Sequence, residues 1–334
     1  MINDVFIMDR KAARTIKLDG KIEDIICTSN GCFCYTENSV RKIRTPEEID
    51  PDNLNNDIPF ENTSYRKSGT RNYITARVVI QSKRFLDAVP TKVDKSIVLA
   101  YLMEIETNLL LCNRIFQGIK RQIVQKNKIK IRYRNGVIDK LPAIEELDIQ
   151  VYQFLMSAKQ VQQIVVSIFN EFHEYQGKRL DGPHINKMLE KMEEIEAMDQ
   201  ENPFLKNLKA NQDIYKSIVD IRNAQEHPNK NRYLTIDNFM LHSDGKIYVP
   251  IIRYFNSGLQ FEADIVPWMQ SVIAGLLHLV EMQMLYNVCK STLIPQNFSL
   301  AVRSIPESEQ NESCPISREI FFIKDLSPEA GCEA

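Results

Sequence analysis

Glycine is scarce in this chain of 334 residues, with 11 in total, and no glycine-rich phosphate loop is present. Such loops bring backbone N–H groups close to the phosphates in nucleotide-hydrolysing enzymes and in dinucleotide-binding folds. Nothing in the sequence therefore supports either class, and we expect no cofactor.

The chain also lacks an excess of either charge. Its 42 basic and 44 acidic side chains give a net charge of −2 and a pI near 6.3. This balance argues against a basic coat for nucleic acid, although it permits a local basic patch. No uninterrupted apolar run approaches the ~20 residues of a transmembrane helix, and the N-terminal segment does not resemble a signal peptide. We expect a cytoplasmic protein that does not associate with a membrane.

The cysteines show no metal-ligand spacing. There are seven, an odd number, which fits a reducing compartment. Cys27, Cys32 and Cys34 lie close together, but Cys32 and Cys34 share one face of a predicted strand, where we expect them as small apolar residues. No metal is expected.

The N-terminal region has the pattern of an antiparallel sheet. The dipeptides Asp19-Gly20 and Asn30-Gly31 are typical hairpin turns and separate the runs ARTIKL, KIEDIICTS and CFCYTE, which follow a first strand, VFIM. Residues 46–69 are polar and predict a linker, after which 74–80 predicts one more strand. We expect a β-rich domain over 1–90, a β-meander that is either a small barrel or a docking module, through which a partner protein could bind.

The pattern changes to helical beyond this domain. Long apolar helices are predicted from Asp94, over 143–175 and over 267–290, with a shorter one over 183–198 and another starting near Asn202. The sequence thus predicts an α+β protein: a mainly α-helical bundle at 91–292, a β-hairpin inserted after residue 227, and a C-terminal tail at 293–334. The hairpin turns at Asp244-Gly245, and the run EIFFI predicts a strand in the tail.

One stretch of the helical region carries charge of a single sign. No acidic residue lies between Glu106 and Asp139, and a hairpin is predicted around Asn135-Gly136. The cations of this stretch could follow a phosphate backbone. The candidates for substrate binding are Lys128, Lys130 and Arg132. The alternative, more common for charge runs, is a solvated face neutralised by neighbouring carboxylates such as Glu145.

An arginine interrupts the apolar stripe of the helix that starts near Asn202. Leu208, Tyr215 and Ile218 recur on one face, and the next position of that face is Arg222. Burying an unpaired guanidinium is costly, so we expect Arg222 to face a polar cavity, a carboxylate or another subunit. His227 precedes Pro228, which disfavours helix at the preceding residue, so the imidazole is expected on a terminating turn.

The segment from Asp220 to Pro228, in which Arg222 is followed by Asn223 and then by His227 at a helix end, resembles the signature of the HEPN superfamily. These small helical domains often act as metal-independent ribonucleases. The resemblance implies Arg222, Asn223 and His227 as catalytic residues, RNA as substrate, and a homodimer whose two motifs form a composite site. Lys230 and Arg232, just past the motif, could extend the phosphate site, and the alternative is that both are solvated loop residues. A role as a bacterial toxin or antiphage-defence effector would follow.

Two other interpretations remain open. His and Pro are common at helix C-termini, and Arg222 could simply pair with Asp220 or Glu226 at the surface. The chain would then be a non-catalytic HEPN-like scaffold that binds a partner protein or nucleotide. The other interpretation is a structural interaction protein in which the motif is coincidental.

Overall fold

A computed structural model defines the fold, with 52% of residues in helices and 23% in strands. The α+β class, the N-terminal antiparallel sheet and the long helical region predicted above are all present. The residues that the structure describes are 4–8, 13–17, 20–55, 58, 60–90, 92–128, 133–134, 137–138, 140–173, 179–180, 182, 184–196, 202–241, 246–292, 294 and 297–324.

The chain divides into two compact units. Unit 1 contains Met1–Glu106 together with Met284–Ala334, and unit 2 contains Thr107–Gln283. The beginning and the end of the chain thus contribute to one unit, which the sequence pattern did not indicate.

The central element of unit 1 is a four-stranded antiparallel sheet in the order β3-β4-β5-β6. The hairpin predicted at Asn30-Gly31 is confirmed, since Thr28 pairs with Gly31 and the φ of Gly31 is 114°. That left-handed conformation favours glycine. Cys34 and Ile43 are buried on one face of this sheet. The strands are β3 (Ile22–Thr28), β4 (Gly31–Thr36), β5 (Val40–Arg44) and β6 (Glu61–Arg66).

Three expectations for this region were wrong in detail. β1 (Asp4–Met8) and β2 (Ala13–Lys17) form a two-stranded sheet of their own and do not join the meander. The predicted polar linker contributes α1 (Pro46–Ile49) and the edge strand β6. The segment 74–80 is helical: α2 (Tyr73–Thr75), a π-helical segment (Ala76–Ile80) and α3 (Gln81–Ala88) follow one another. Because 74–76 and 78–80 are all buried, this apolar run resembles a buried strand in sequence.

A disulfide links Cys27 on β3 to Cys32 on β4. The two residues are direct cross-strand partners, so strand pairing brings their side chains together. Cys34 is buried on the same face as Cys32, as predicted, but Cys32 is not a free small apolar residue there.

Unit 1 also contains a C-terminal hairpin, although 293–334 was predicted as a tail. β14 (Phe298–Ser304) pairs antiparallel with β15 (Arg318–Lys324), the strand that EIFFI predicted. A short 3-10 helix (Glu307–Glu309) lies between them. β15 packs against α3 rather than joining the N-terminal sheet.

Unit 2 is built from helices that begin and end close to the predicted positions. Asn202 caps α7 by accepting hydrogen bonds from the backbone N–H groups of Phe204 (3.0 Å) and Leu205 (3.1 Å). The helix predicted to continue from there to the motif is interrupted at Asn211. The helices are α4 (Lys95–Lys126, whose first residues belong to unit 1), α5 (Leu147–Phe172), α6 (Ile185–Ile195), α7 (Pro203–Ala210), α8 (Gln212–Glu226) and α9 (Ile265–Ser291, whose last residues belong to unit 1).

The strands of unit 2 form the two predicted hairpins and one further sheet. β7 (Tyr133–Arg134) pairs with β8 (Val137–Ile138), and β10 (Met240–Leu241) pairs with β11 (Ile247–Tyr248). Asn135, Gly136, Asp244 and Gly245, the predicted turn residues, lie outside the described residues. A three-stranded sheet in the order β13-β12-β9 was not predicted; its strands are β9 (Arg232–Asp237), β12 (Ile251–Asn256) and β13 (Leu259–Asp264).

Two of the described helices, α4 and α9, are long and apolar enough to cross a membrane by length and composition alone. The core helix of a globular protein meets the same criterion. In α9, 78% of the apolar window is buried inside the protein, against 44% in α4. These helices are therefore weak evidence for a membrane.

Candidate functional site

Helix α8 carries the motif and packs against α5 through one apolar face. Tyr215, Ile218, Ile221 and Ala224 are buried on that face, and Gln162 of α5 donates to the backbone carbonyl of Tyr215 at 2.9 Å. The buried stripe therefore continues from Ile218 to Ile221, and Arg222 lies at its edge rather than on it. The contacts with α5 fix the position of α8 and hence of its last turn.

Arg222 lies against its own helix with only 12% of its side chain exposed. Its guanidinium forms an ion pair with Glu226, one turn further along, and its Nη1 donates to Asn223 Oδ1 at 3.3 Å. The Nε atom is buried without a hydrogen-bond partner among the described residues. The sequence predicted that Arg222 faces a polar cavity, a carboxylate or another subunit. The structure thus provides a carboxylate, and it belongs to the same chain.

His227 ends α8, as Pro228 predicts. Its backbone N–H donates to the carbonyl of Asn223 at 3.0 Å, and its side chain is 73% exposed. The imidazole Nε2 lies 3.8 Å from Oε2 of Glu226. The Glu226 carboxylate therefore lies between the guanidinium of Arg222 and the imidazole of His227, which brings the two residues of the motif into one group.

A second cation, Lys159 of α5, belongs to the same group. Burial lowers the pKa of Lys159, the positive charge of Arg222 lowers it further, and the charge of Glu226 opposes this shift. Sequence reasoning missed Lys159. The available signal was a lysine directly after Ala158 and close to Val161, both on the buried face of an apolar helix.

The other predicted substrate-binding residues are not joined to this group by any contact between described residues. Lys128 is exposed just after the end of α4, and Lys230 is exposed between α8 and β9. Lys130 and Arg132 lie outside the described residues. Arg232 begins β9, and its Nε is buried without a hydrogen-bond partner there.

Arg232 instead belongs to the surroundings of Tyr254 on β12. Burial raises the pKa of Tyr254, the charge of Asp220 raises it further, and the charge of Arg232 opposes the shift. Asp220 thus lies near Tyr254, and the ion-pair partner of Arg222 is Glu226.

No group of three or more metal-ligating side chains occurs in the described part of the chain. The motif brings together one carboxylate, one imidazole and two cations, and cations beside a carboxylate suit an anionic ligand better than a metal ion. No family model matches the chain, and no curated protein or solved structure is significantly similar to it.

Proposed function

We propose that this protein is a metal-independent endoribonuclease of the HEPN type, with Arg222, Asn223 and His227 at its active site. The observation that carries the proposal is the grouping of an exposed imidazole with the Arg222 guanidinium and Lys159 at the end of α8. These groups suffice for RNA cleavage by the substrate's own 2′-hydroxyl.

The chemistry assigns a role to each side chain. The imidazole of His227 removes the proton of a ribose 2′-hydroxyl, because histidine is the side chain that commonly exchanges protons near neutral pH. The 2′-oxygen forms a bond to the adjacent phosphorus, and the bond from phosphorus to the 5′-oxygen breaks. The leaving 5′-oxygen takes up a proton, which gives a 2′,3′-cyclic phosphate and a 5′-hydroxyl end.

The two cations, Arg222 and Lys159, stabilise the negative charge of the reacting phosphate. Negative charge develops on the phosphoryl oxygens, and a guanidinium and an ammonium held in place before reaction stabilise that charge without reorganising. Arg222 and Lys159 against Glu226 leave one positive charge in excess, which matches the single charge of a phosphodiester. Asn223 accepts a hydrogen bond from the Arg222 guanidinium at 3.3 Å and helps to orient it.

A composite site in a homodimer is part of this proposal. Two arginines brought within 4 Å would repel each other by about 4 kcal/mol at an effective dielectric near 20. The ion pair with Glu226 offsets that repulsion within each chain, and the exposed imidazole of His227 is accessible to a second copy. The β-rich N-terminal region would then serve to dock a partner protein.

A second candidate function is the non-catalytic scaffold. The observation that favours it is that Glu226 already neutralises Arg222 within the same chain, as in an ordinary structural ion pair. In that case the group stabilises the end of α8 and carries out no reaction.

Incubation of the purified protein with total RNA in EDTA separates the two functions. The nuclease is expected to cleave RNA in EDTA and to leave 2′,3′-cyclic phosphate ends, whereas the scaffold leaves the RNA intact. Arg222→Ala and His227→Ala should each abolish most cleavage. His184→Ala is the matched control, since His184 is exposed at the start of another helix of unit 2 and should be dispensable.

Mixing the two inactive variants tests the composite site. If each site takes Arg222 from one copy and His227 from the other, the mixture regains part of the wild-type rate. An active monomer by light scattering, with no recovery on mixing, would contradict the dimer. Cleavage that is lost on chelation and unaffected by His227→Ala would contradict the proposed chemistry altogether.

A further inference from the structure

A groove of about 430 Å³ in unit 1 has no role in the cleavage site proposed above. It lies where α3 packs against the β14–β15 hairpin. Its volume falls within the range of roughly 300–1,000 Å³ that small-molecule sites occupy. Six of the residues that line it are Arg84, Phe85, Arg303, Arg318, Glu319 and Phe321.

The groove is rich in guanidinium groups. Three arginines and one glutamate line it, so two positive charges are in excess. Arg303 donates to Glu319 at 2.8 Å across the hairpin, which neutralises one of the three. Arg84 is exposed and forms no ion pair with any carboxylate in the described part of the chain.

Arg318 is only partly satisfied. Its Nη1 donates to Ser304 Oγ at 3.0 Å, whereas its Nε is buried without a hydrogen-bond partner among the described residues. A buried donor that lacks an acceptor costs free energy, and an anion in the groove would supply that acceptor. Planar guanidinium groups match phosphate oxygens in geometry as well as in charge.

Aromatic surface lies beside these cations. Phe85 is buried within α3, while Phe321 on β15 is 43% exposed, and both line the groove. An exposed aromatic ring next to a cationic site provides a stacking surface for a flat ring such as a nucleobase.

The two sides of the groove are held together by a buried side chain. Gln81, fully buried at the start of α3, accepts hydrogen bonds from the backbone N–H groups of Ser317 (2.6 Å) and Arg318 (2.9 Å). Arg84 and Phe85 follow Gln81 by three and four residues, which places them on the same face of the helix. The backbone segments that carry Arg84 and Arg318 are therefore held together before any ligand binds.

We propose that this groove binds a nucleoside phosphate, with Arg84 and Arg318 on the phosphate and Phe321 against the base. The excess positive charge and the unpaired Nε of Arg318 favour a phosphate. The exposed ring of Phe321 and the volume of the groove favour a ring system attached to that phosphate. The ligand is either a free nucleotide or the 5′-phosphorylated end of an RNA, which present the same chemistry.

Calorimetric titration of the full chain tests the proposal with adenosine 5′-monophosphate, adenosine and inorganic phosphate as probes. The monophosphate should bind, and adenosine and phosphate should each bind at least about tenfold more weakly, since each lacks half of the contacts. Arg84→Gln and Arg318→Gln should weaken binding by about tenfold, as expected for one charged hydrogen bond. Arg114→Gln is the matched control, because Arg114 is exposed on α4 and does not line the groove.

Two oligoribonucleotides, with a 5′-phosphate and with a 5′-hydroxyl, distinguish the sources by competition. Displacement of the monophosphate by the phosphorylated oligonucleotide alone identifies an RNA end, and displacement by neither identifies the free nucleotide. The proposal is overturned if the monophosphate does not bind at concentrations up to about 1 mM. Binding of inorganic phosphate as tight as that of the monophosphate, or wild-type affinity in both groove variants, overturns it equally.

Discussion

Replacing Arg66 with methionine is expected to destabilise the protein by about 3–5 kcal/mol near neutral pH, the usual cost of removing one partner of a buried ion pair. Arg66 lies at the end of β6 and forms an ion pair with Glu106, whose side chain is fully buried on α4. Its Nη2 also donates to the backbone carbonyl of Met103 at 3.1 Å. The substitution keeps an unbranched apolar chain, shorter than arginine, and leaves the carboxylate without a cation.

Two neutral donors would remain on Glu106. Thr75 donates its hydroxyl to Oε1 at 2.8 Å, and Tyr35 donates its hydroxyl to Oε2 at 3.3 Å. Burial already raises the pKa of Glu106 above its ordinary value of 4.5, against the charge of Arg66 and these hydrogen bonds. Without Arg66 the pKa should rise further, so the folded variant should bind a proton at a pH where the unfolded chain does not.

The sign of the pH dependence follows from this shift. A carboxyl group with a raised pKa in the folded state contributes its full stability below 4.5, and that contribution is lost as pH rises through the folded-state pKa. The deficit of Arg66→Met relative to the wild type should therefore be largest near neutral pH and smaller at about pH 4.5. Urea unfolding followed by circular dichroism at both pH values measures it.

Glu106→Gln is the matched control. It removes the buried charge, keeps an oxygen acceptor for Thr75, and leaves Arg66, which is 12% exposed, able to reach water. A smaller loss than in Arg66→Met is expected, and this loss should not grow between about pH 4.5 and neutral pH, because no carboxyl group remains at this position to lose a proton. A deficit in Arg66→Met below about 1 kcal/mol, the scale of an exposed pair, or an equal deficit at both pH values would refute the reasoning.

Four other substitutions test three separate features. Glu226→Gln should strengthen binding of 2′-O-methyl RNA by about threefold to tenfold, because it frees Arg222 from a pair worth roughly 1 kcal/mol; unchanged or weaker binding in a filter assay would contradict this. Gln81→Ala should cost about 1–3 kcal/mol in urea unfolding and weaken nucleotide binding, since it deprives Ser317 and Arg318 of an acceptor. Gly69→Ala should destabilise by about 1–3 kcal/mol or more, because its Cβ would lie 2.2 Å from the carbonyl oxygen of Thr36. Gly118→Ala, with open space around the added Cβ, should instead stabilise α4 by roughly 0.5–1 kcal/mol, and similar melting shifts in both glycine variants would contradict the steric argument.

The sequence by itself determined those features that depend on neighbouring residues. The hairpin at Asn30-Gly31 follows from a glycine with positive φ between two alternating runs, and the start of α7 follows from Asn202 before Pro203. The position of the motif at a helix end follows from Pro228, since proline disfavours helix at the residue before it. Local sterics and local hydrogen bonds suffice for each of these features.

The tertiary structure decided what depends on burial and on distant segments. The run at 74–80 is buried at every position except Arg77, so periodicity could not separate a buried helix from a buried strand. The pair of Arg222 with Glu226 is a local contact one turn apart on α8, whereas Lys159 of α5 lies near that pair only because α8 packs on α5. The arginine groove joins α3 to a hairpin more than two hundred residues later in the chain. No local pattern encodes that proximity, because packing energy between distant segments, rather than propensity along the chain, brings them together.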